Sequence, residues 1–284
     1  MSLVSAIFTG VGARIGGGVT ISATSDPTST VFLQWMNETA LWITGICAEN
    51  DSDLGRTIGT ITTVAADISA ATAASPCSVT ATAHGLISSG TAEVVIKDVV
   101  GMTELNDTEY TATYVSANAV TLGIDSSDYT AYTSGGYISK RKFSTIATTL
   151  YAPAQEGWIV NDRQRDPLTL RTEKALVEYD PVEASQPDAF YVDGSNNICF
   201  FVYPDDAYTV KIPYWTLPTA LTATSDTVPF LGLMDNLFIE ALTLRYLERD
   251  EYDPSYELKW QSFITERAKR VILMRKQMYA RVTA

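Results

Sequence analysis

The chain has 284 residues, of which 46% are hydrophobic and 19% charged, with a formal net charge of −13. That length supports one large or two modest domains with a sizeable core, and such acidity argues against a surface that grips nucleic-acid phosphates throughout. Cys47, Cys77 and Cys199 are odd in number, scattered and free of any CxxC spacing, so they suit free thiols in a reducing cytosol rather than a disulfide framework. The first residues lack the basic and apolar regions of a signal peptide, and no run of about 18 apolar residues predicts a membrane span.

Residues 1–26 are rich in Gly, Ser and Thr and read as an extended arm or loops. Thr28 or Ser29 then caps a predicted helix over 30–50, whose apolar positions (Val31, Phe32, Trp35, Met36, Ala40, Leu41, Trp42, Ile43, Ile46) have helical spacing. TIGTITTVAADIS holds a candidate strand, and ATAASPCSV (71–79) is a small-residue linker. VVIKDV (94–99), YTATYV (110–115) and AVTLGI (119–124) read as consecutive antiparallel strands separated by polar turns, ending at SKRKF. A second β region follows: FSTIATTLY (143–151), ALVEYD (175–180), AFYVDG (189–194), NICFFVYP (197–204) and YTVKIPYWTLP (208–218). AFYVDGSNNICFFVYP is a hairpin candidate turning at Asp193-Gly194. The period then becomes helical. PFLGLMDNLFIEALTLRYLERD (229–250) places Leu233, Leu237, Phe238, Ala241, Leu242, Leu244 and Leu247 on one broad face, starting at Pro229. Asp253-Pro254 opens a last helix with a stripe of Trp260, Phe263, Ile264, Val271, Met274 and Met278.

Candidate chemistry is sparse. His84 is the single histidine, and any Ser–His or Cys–His nucleophile system would need it. Its HGL turn context reads as a turn residue satisfied by backbone. Gly10, Gly12 and Gly16 make a GxGxxxG string, but GGVTISATSDP after it cannot form the helix that a dinucleotide fingerprint requires. The acidic clusters Asp51/Asp53, Asp125/Asp128, Asp205/Asp206 and Asp250/Glu251/Asp253 match no EF-hand spacing and fall in turns or caps, where Asp bonds locally. We expect no catalytic residue, no cofactor and no metal. Charge is uneven: seven Lys or Arg after residue 257 (Lys259, Arg267, Lys269, Arg270, Arg275, Lys276, Arg281) face one acid, Glu266. A basic face beside an apolar stripe suits docking on an acidic protein surface, the alternatives being a solvated face that gains from the helix dipole and direct contact with nucleic-acid phosphates.

HGL (84–86), GMTELND (101–107) and DSSDYTAYTSGG (125–136) occur in order. This stretch resembles the small β-module named after the first catalytic cysteine half-domain of ubiquitin-activating enzymes, in the form found in phage structural proteins. NICFFVYPDDAYTVKIPYWTLPTALTATSDTVPFLGLMDNLFIEALTLRYL is similar to head-to-tail adaptor, or head-completion, proteins of tailed phages, over roughly 143–280 plus helix 30–50. Together they imply an α+β fold: a helical adaptor body with a small β-sheet, plus an inserted all-β barrel-like module. The division would be 1–71 (arm and helix), 72–140 (module) and 141–284 (strands, then two helices). The resemblance implies a structural virion protein at the head–tail junction, assembled in the host cytoplasm. It would form a ring, typically of twelve copies, between the portal and the next tail or nozzle protein, with DNA passing through the lumen without sequence-specific binding and no membrane contact. The portal-docking residues would be Trp260, Phe263, Ile264, Arg267, Lys269, Arg270, Val271, Met274, Arg275, Lys276 and Met278. Ring packing would use Leu233, Leu237, Phe238, Ala241 and Leu244. The alternative is a tail-fibre or surface-binding virion protein that uses the β-module for host recognition.

Overall fold

The computed structural model describes residues 2–16, 18–160, 165–248 and 255–282. It divides into two compact units, residues 1–57 with 215–284, and residues 58–214.

The first unit is helical. α1 (Val4–Arg14), α2 (Ser29–Glu49), α3 (Asp235–Glu248) and α4 (Ser255–Val282) pack with α1 on α3, and α2, α3 and α4 on one another. α1 overturns the expectation of an extended arm at 1–26. Val4, Ile7, Phe8 and Val11 recur at helical spacing and are all buried. The glycines that hide this helix are needed for close packing: a Cβ at Gly10 would lie 2.6 Å from Ile239 Cδ1, and one at Gly12 would lie 2.1 Å from the Val19 carbonyl oxygen. Its first turn is capped by a loop, because Val4 N–H donates to the Asp226 carbonyl and Ser5 N–H to the Thr224 carbonyl. Asp226 in turn accepts from the N–H groups of Thr222 and Ala223, which holds its carboxyl below the usual range. α2 falls where its periodicity places it. α3 begins at Asp235 rather than Pro229, behind a 3₁₀ turn at Phe230–Gly232. The predicted cap at Asp253-Pro254 lies outside the described residues.

The second unit is built of β structure, with strands β1 (Arg56–Thr62), β2 (Ala65–Asp67), β3 (Ala70–Ala71), β4 (Cys77–Thr80), β5 (Thr91–Lys97), β6 (Thr108–Ser116), β7 (Ala119–Leu122), β8 (Tyr137–Ser139), β9 (Lys142–Phe143), β10 (Leu150–Pro153), β11 (Glu156–Val160), β12 (Arg165–Leu170), β13 (Ala189–Val192), β14 (Ile198–Phe200) and β15 (Thr209–Thr216). They form an eight-stranded sheet, β1-β15-β11-β12-β13-β14-β9 with β10 also on β15, and a seven-stranded sheet, β2-β8-β5-β6-β7-β4-β3. This corrects the expected fold class. The chain is not a helical adaptor body with a small sheet; two large sheets carry most of its elements, and helices are few. The reason is non-local pairing. β9 joins β14 through Ile198↔Phe143, and β4 joins β7 through Cys77↔Leu122, so short runs far apart in sequence combine.

Each sheet has its own core. Val94, Ile96, Tyr110, Ala112, Val120, Leu122 and Ile138 fill the seven-stranded side, while Ile159, Leu168, Phe190, Ile198, Phe200, Val210 and Ile212 fill the eight-stranded side. The β5–β6–β7 meander and the β13–β14 hairpin stand where the alternation and the Asp193-Gly194 turn place them. ALVEYD is not a strand: Glu173–Glu178 is a 3₁₀ turn, whose Ala175 and Leu176, with Tyr179 just after it, pack on Tyr191, Cys199 and Phe201. FSTIATTLY divides into β9, a loop and β10.

Candidate docking surface

α4 has two apolar sides. Trp260, Ile264, Ala268 and Ile272 recur every fourth residue and are buried against the other helices of their unit. Beyond Ile272 the stripe turns outward: Leu273 is 57% exposed, Met274 58% and Met278 69%. Among the expected docking residues, Trp260 and Ile264 therefore belong to the intramolecular core. Phe263 and Val271 are half-buried, with the Arg267 guanidinium 5.6 Å from the Phe263 ring centroid. Ala268, Ile272 and Leu273 were missed in the sequence, because a 28-residue helix with apolar residues on several sides does not reveal which side meets its neighbours.

The cations also divide. Arg275 grips Asp53 through two nitrogens, Nε to Oδ1 at 2.8 Å and Nη2 to Oδ2 at 2.7 Å. These bonds hold the Asp53 carboxyl below the usual carboxylate range. Lys276 Nζ donates to the Asn50 carbonyl at 2.7 Å, at the C-terminal end of α2 where the helix dipole favours a cation. Arg267 lies 3.6 Å from Glu240 of α3, and Arg270 pairs with Glu266 one turn back. Lys269 and Arg270 stay exposed on the outer face. Asp53, taken from the sequence as a turn carboxylate, is thus the anchor that fixes the C-terminal half of α4. Beside it lies a groove of about 440 Å³, lined by Asp53, Gly55, Arg56, Pro229, Phe230 and Arg275 among others. Phe230 has φ +67°, a strained setting for a bulky residue, and Gly55 nearby has φ +71°, a conformation that favours glycine.

The expected ring-packing residues are divided in the same way. Leu237, Phe238 and Ala241 lie in the core of the helical unit, Leu244 is half-buried, and Leu233 is 46% exposed.

The remaining candidates have local roles. His84 is buried; its Nδ1 accepts the Leu86 N–H at 3.1 Å, so Nε2 carries the proton and donates to the Ser116 carbonyl at 2.9 Å. Gly12 is a packing glycine. Asp125 accepts from Ser127, and Asp205 from the Tyr208 hydroxyl. The three cysteines are free and buried, and burial pushes the Cys47 and Cys199 thiols up to about 11. Among the described residues no three His, Cys, Asp or Glu side chains gather as a ligand set for a metal, and no helix is long and apolar enough to cross a membrane.

What the surface offers is contact: exposed apolar side chains and cations on the end of a long, firmly anchored helix. Exposed apolar side chains of this kind are what a contact with another protein would use. The family model of the SU10 adaptor protein matches residues 19–283, and the chain belongs to that family of structural phage adaptors. No curated protein matches the sequence.

Proposed function

We propose that the protein is a connector at the head–tail junction of the virion. It forms a closed ring between the portal and the next tail component, and the resemblance to head-completion proteins sets the expected copy number at twelve. The observation that carries this reading is the exposed run Leu273, Met274 and Met278 at the end of α4. Apolar side chains at this spacing, next to Lys269 and Arg270, suit a groove on the portal with an acidic rim. Arg275 and Lys276 act inward, holding the helix so that the docking end is presented in one direction. Ring closure would use heterologous contacts repeated from copy to copy, with Leu233 as one apolar surface residue available to them. The whole chain carries −13 while residues 258–284 carry +6, so the rest is strongly acidic. Acidic side chains facing a lumen would let DNA slide without sticking. The seven-stranded sheet would decorate the outside.

Light scattering on the protein alone and mixed with its portal tests this. We expect an increase in mass to a complex with twelve-fold stoichiometry. A stable trimer that ignores the portal would overturn the reading and favour a surface-binding role for the β-module.

A further inference from the structure

Three cations stand in succession at Lys140, Arg141 and Lys142, where β8 of one sheet gives way to β9 of the other. Each is engaged. Lys140 Nζ donates to the Leu86 carbonyl and lies 4.9 Å from the Phe143 ring centroid. Arg141 donates to Glu109 Oε2 at 3.2 Å, and its guanidinium lies 5.1 Å from the Tyr203 ring centroid. The buried Tyr203 hydroxyl donates to the same Glu109 oxygen at 2.7 Å. Lys142 Nζ lies 2.7 Å from Asp193 Oδ2 in the β13–β14 turn. Leu86 and Glu109 belong to the seven-stranded side, Tyr203 and Asp193 to the eight-stranded side.

The seam has a second, separate fastening. On the entry side the buried Thr63 hydroxyl donates to the Asp206 carbonyl at 2.8 Å and accepts the Tyr208 N–H at 2.7 Å. The seven-stranded sheet has its own core, and its entry and exit strands pair with each other through Ala65↔Ser139, Ala66↔Ile138 and Asp67↔Tyr137. Nothing in its internal pairing depends on the basic run.

We propose that Lys140 and Arg141 form a clasp that holds the seven-stranded sheet in one pose on the eight-stranded sheet, with Glu109 as its bolt, while Lys142 and Asp193 tie β9 within the eight-stranded side. Opening the clasp releases the seven-stranded sheet as an intact lobe that turns about the Thr63 side. In a connector, this makes the lobe an adjustable attachment whose pose is set at one carboxylate.

Lys140, Arg141 and the neighbouring Lys142 are themselves trypsin sites, which gives a direct readout. Glu109→Gln removes the charge that Arg141 and Tyr203 share but leaves all three cleavage sites unchanged. We expect limited trypsin digestion to cut at 140–142 about tenfold to a hundredfold faster, the opening that follows from weakening charge-assisted hydrogen bonds. Tyr203→Phe, a milder change, should give a smaller increase. In both variants amide exchange in β5 and β6 should stay as protected as in the wild type. Glu104→Gln serves as control, since Glu104 bonds Thr130 within the same lobe. Unchanged cleavage in both seam variants, equal acceleration in the control, or acceleration accompanied by lost protection in β5 and β6 would each overturn the proposal.

Discussion

Ile264→Ala separates the inner side of α4 from the outer one. Ile264 is fully buried in the middle of the Trp260–Ile272 stripe. The truncation removes three carbons, about 2.4 kcal/mol at roughly 0.8 kcal/mol each. The cavity left behind raises the expected loss to about 2–5 kcal/mol. For a unit of this size each kcal/mol moves the melting midpoint by about 3–5 °C, so a fall of about 6–25 °C follows. Tryptophan fluorescence follows it directly, because Trp35, Trp42, Trp260 and Trp215, at the end of β15 where the chain re-enters the helical unit, lie in that unit and only Trp158 lies in the other. Met274→Ala, made on an exposed position of the same helix, should move the midpoint by less than about 2 °C, since surface changes stay within about 0.5 kcal/mol. A fall below about 3 °C for Ile264→Ala, or equal falls for both variants, would refute the inward placement of that stripe.

Gly12→Ala should destabilise by about 1–3 kcal/mol, because the added Cβ meets the Val19 carbonyl; this outweighs the gain of up to about 1 kcal/mol in helix propensity, and a raised melting midpoint would contradict it. Thr63→Val should cost the β unit about 1–3 kcal/mol by stranding the Tyr208 N–H and the Asp206 carbonyl, read as faster amide exchange in that unit. Asp53→Asn should cost at most about 1 kcal/mol at neutral pH, since the Arg275 pair is partly solvated. Arg275 lowers the folded-state pKa of Asp53, so its contribution is complete above the unfolded value of about 3.9 and fades as pH falls through the folded one. Denaturant midpoints of wild type and Asp53→Asn should therefore converge between about pH 5 and pH 2; a constant gap would show that the pair contributes nothing.

Elements set by local pattern were legible in the sequence. α2 follows its apolar spacing, and the β13–β14 hairpin follows Asp193-Gly194, where Asp193 accepts the N–H groups of Ser195 and Asn197 and is held far below the usual carboxylate range, chiefly by Lys142. What failed depended on distant partners. α1 is hidden by glycines whose need appears only beside Ile239 and Val19. β11 and β12 went unread; Pro167, which cannot donate to a ladder, is tolerated in β12 because β12 meets β13 only at Thr169 and Leu170, leaving Pro167 with a neighbour on one side. α4 was legible as a helix, but its inner and outer sides were not. Trp260 and Met278 look alike to periodicity, and only the packing of α2 and α3 distinguishes them. Likewise Asp53 and Arg275 are 222 positions apart, and no spacing rule connects them.

The most direct test combines Leu273→Ser, Met274→Ser and Met278→Ser in one chain and measures its assembly with the portal by light scattering. All three side chains are exposed, so the melting midpoint should match wild type within about 2 °C. We expect this variant to stay folded and fail to join the portal at concentrations where the wild type assembles fully. Assembly indistinguishable from wild type would contradict docking through the end of α4.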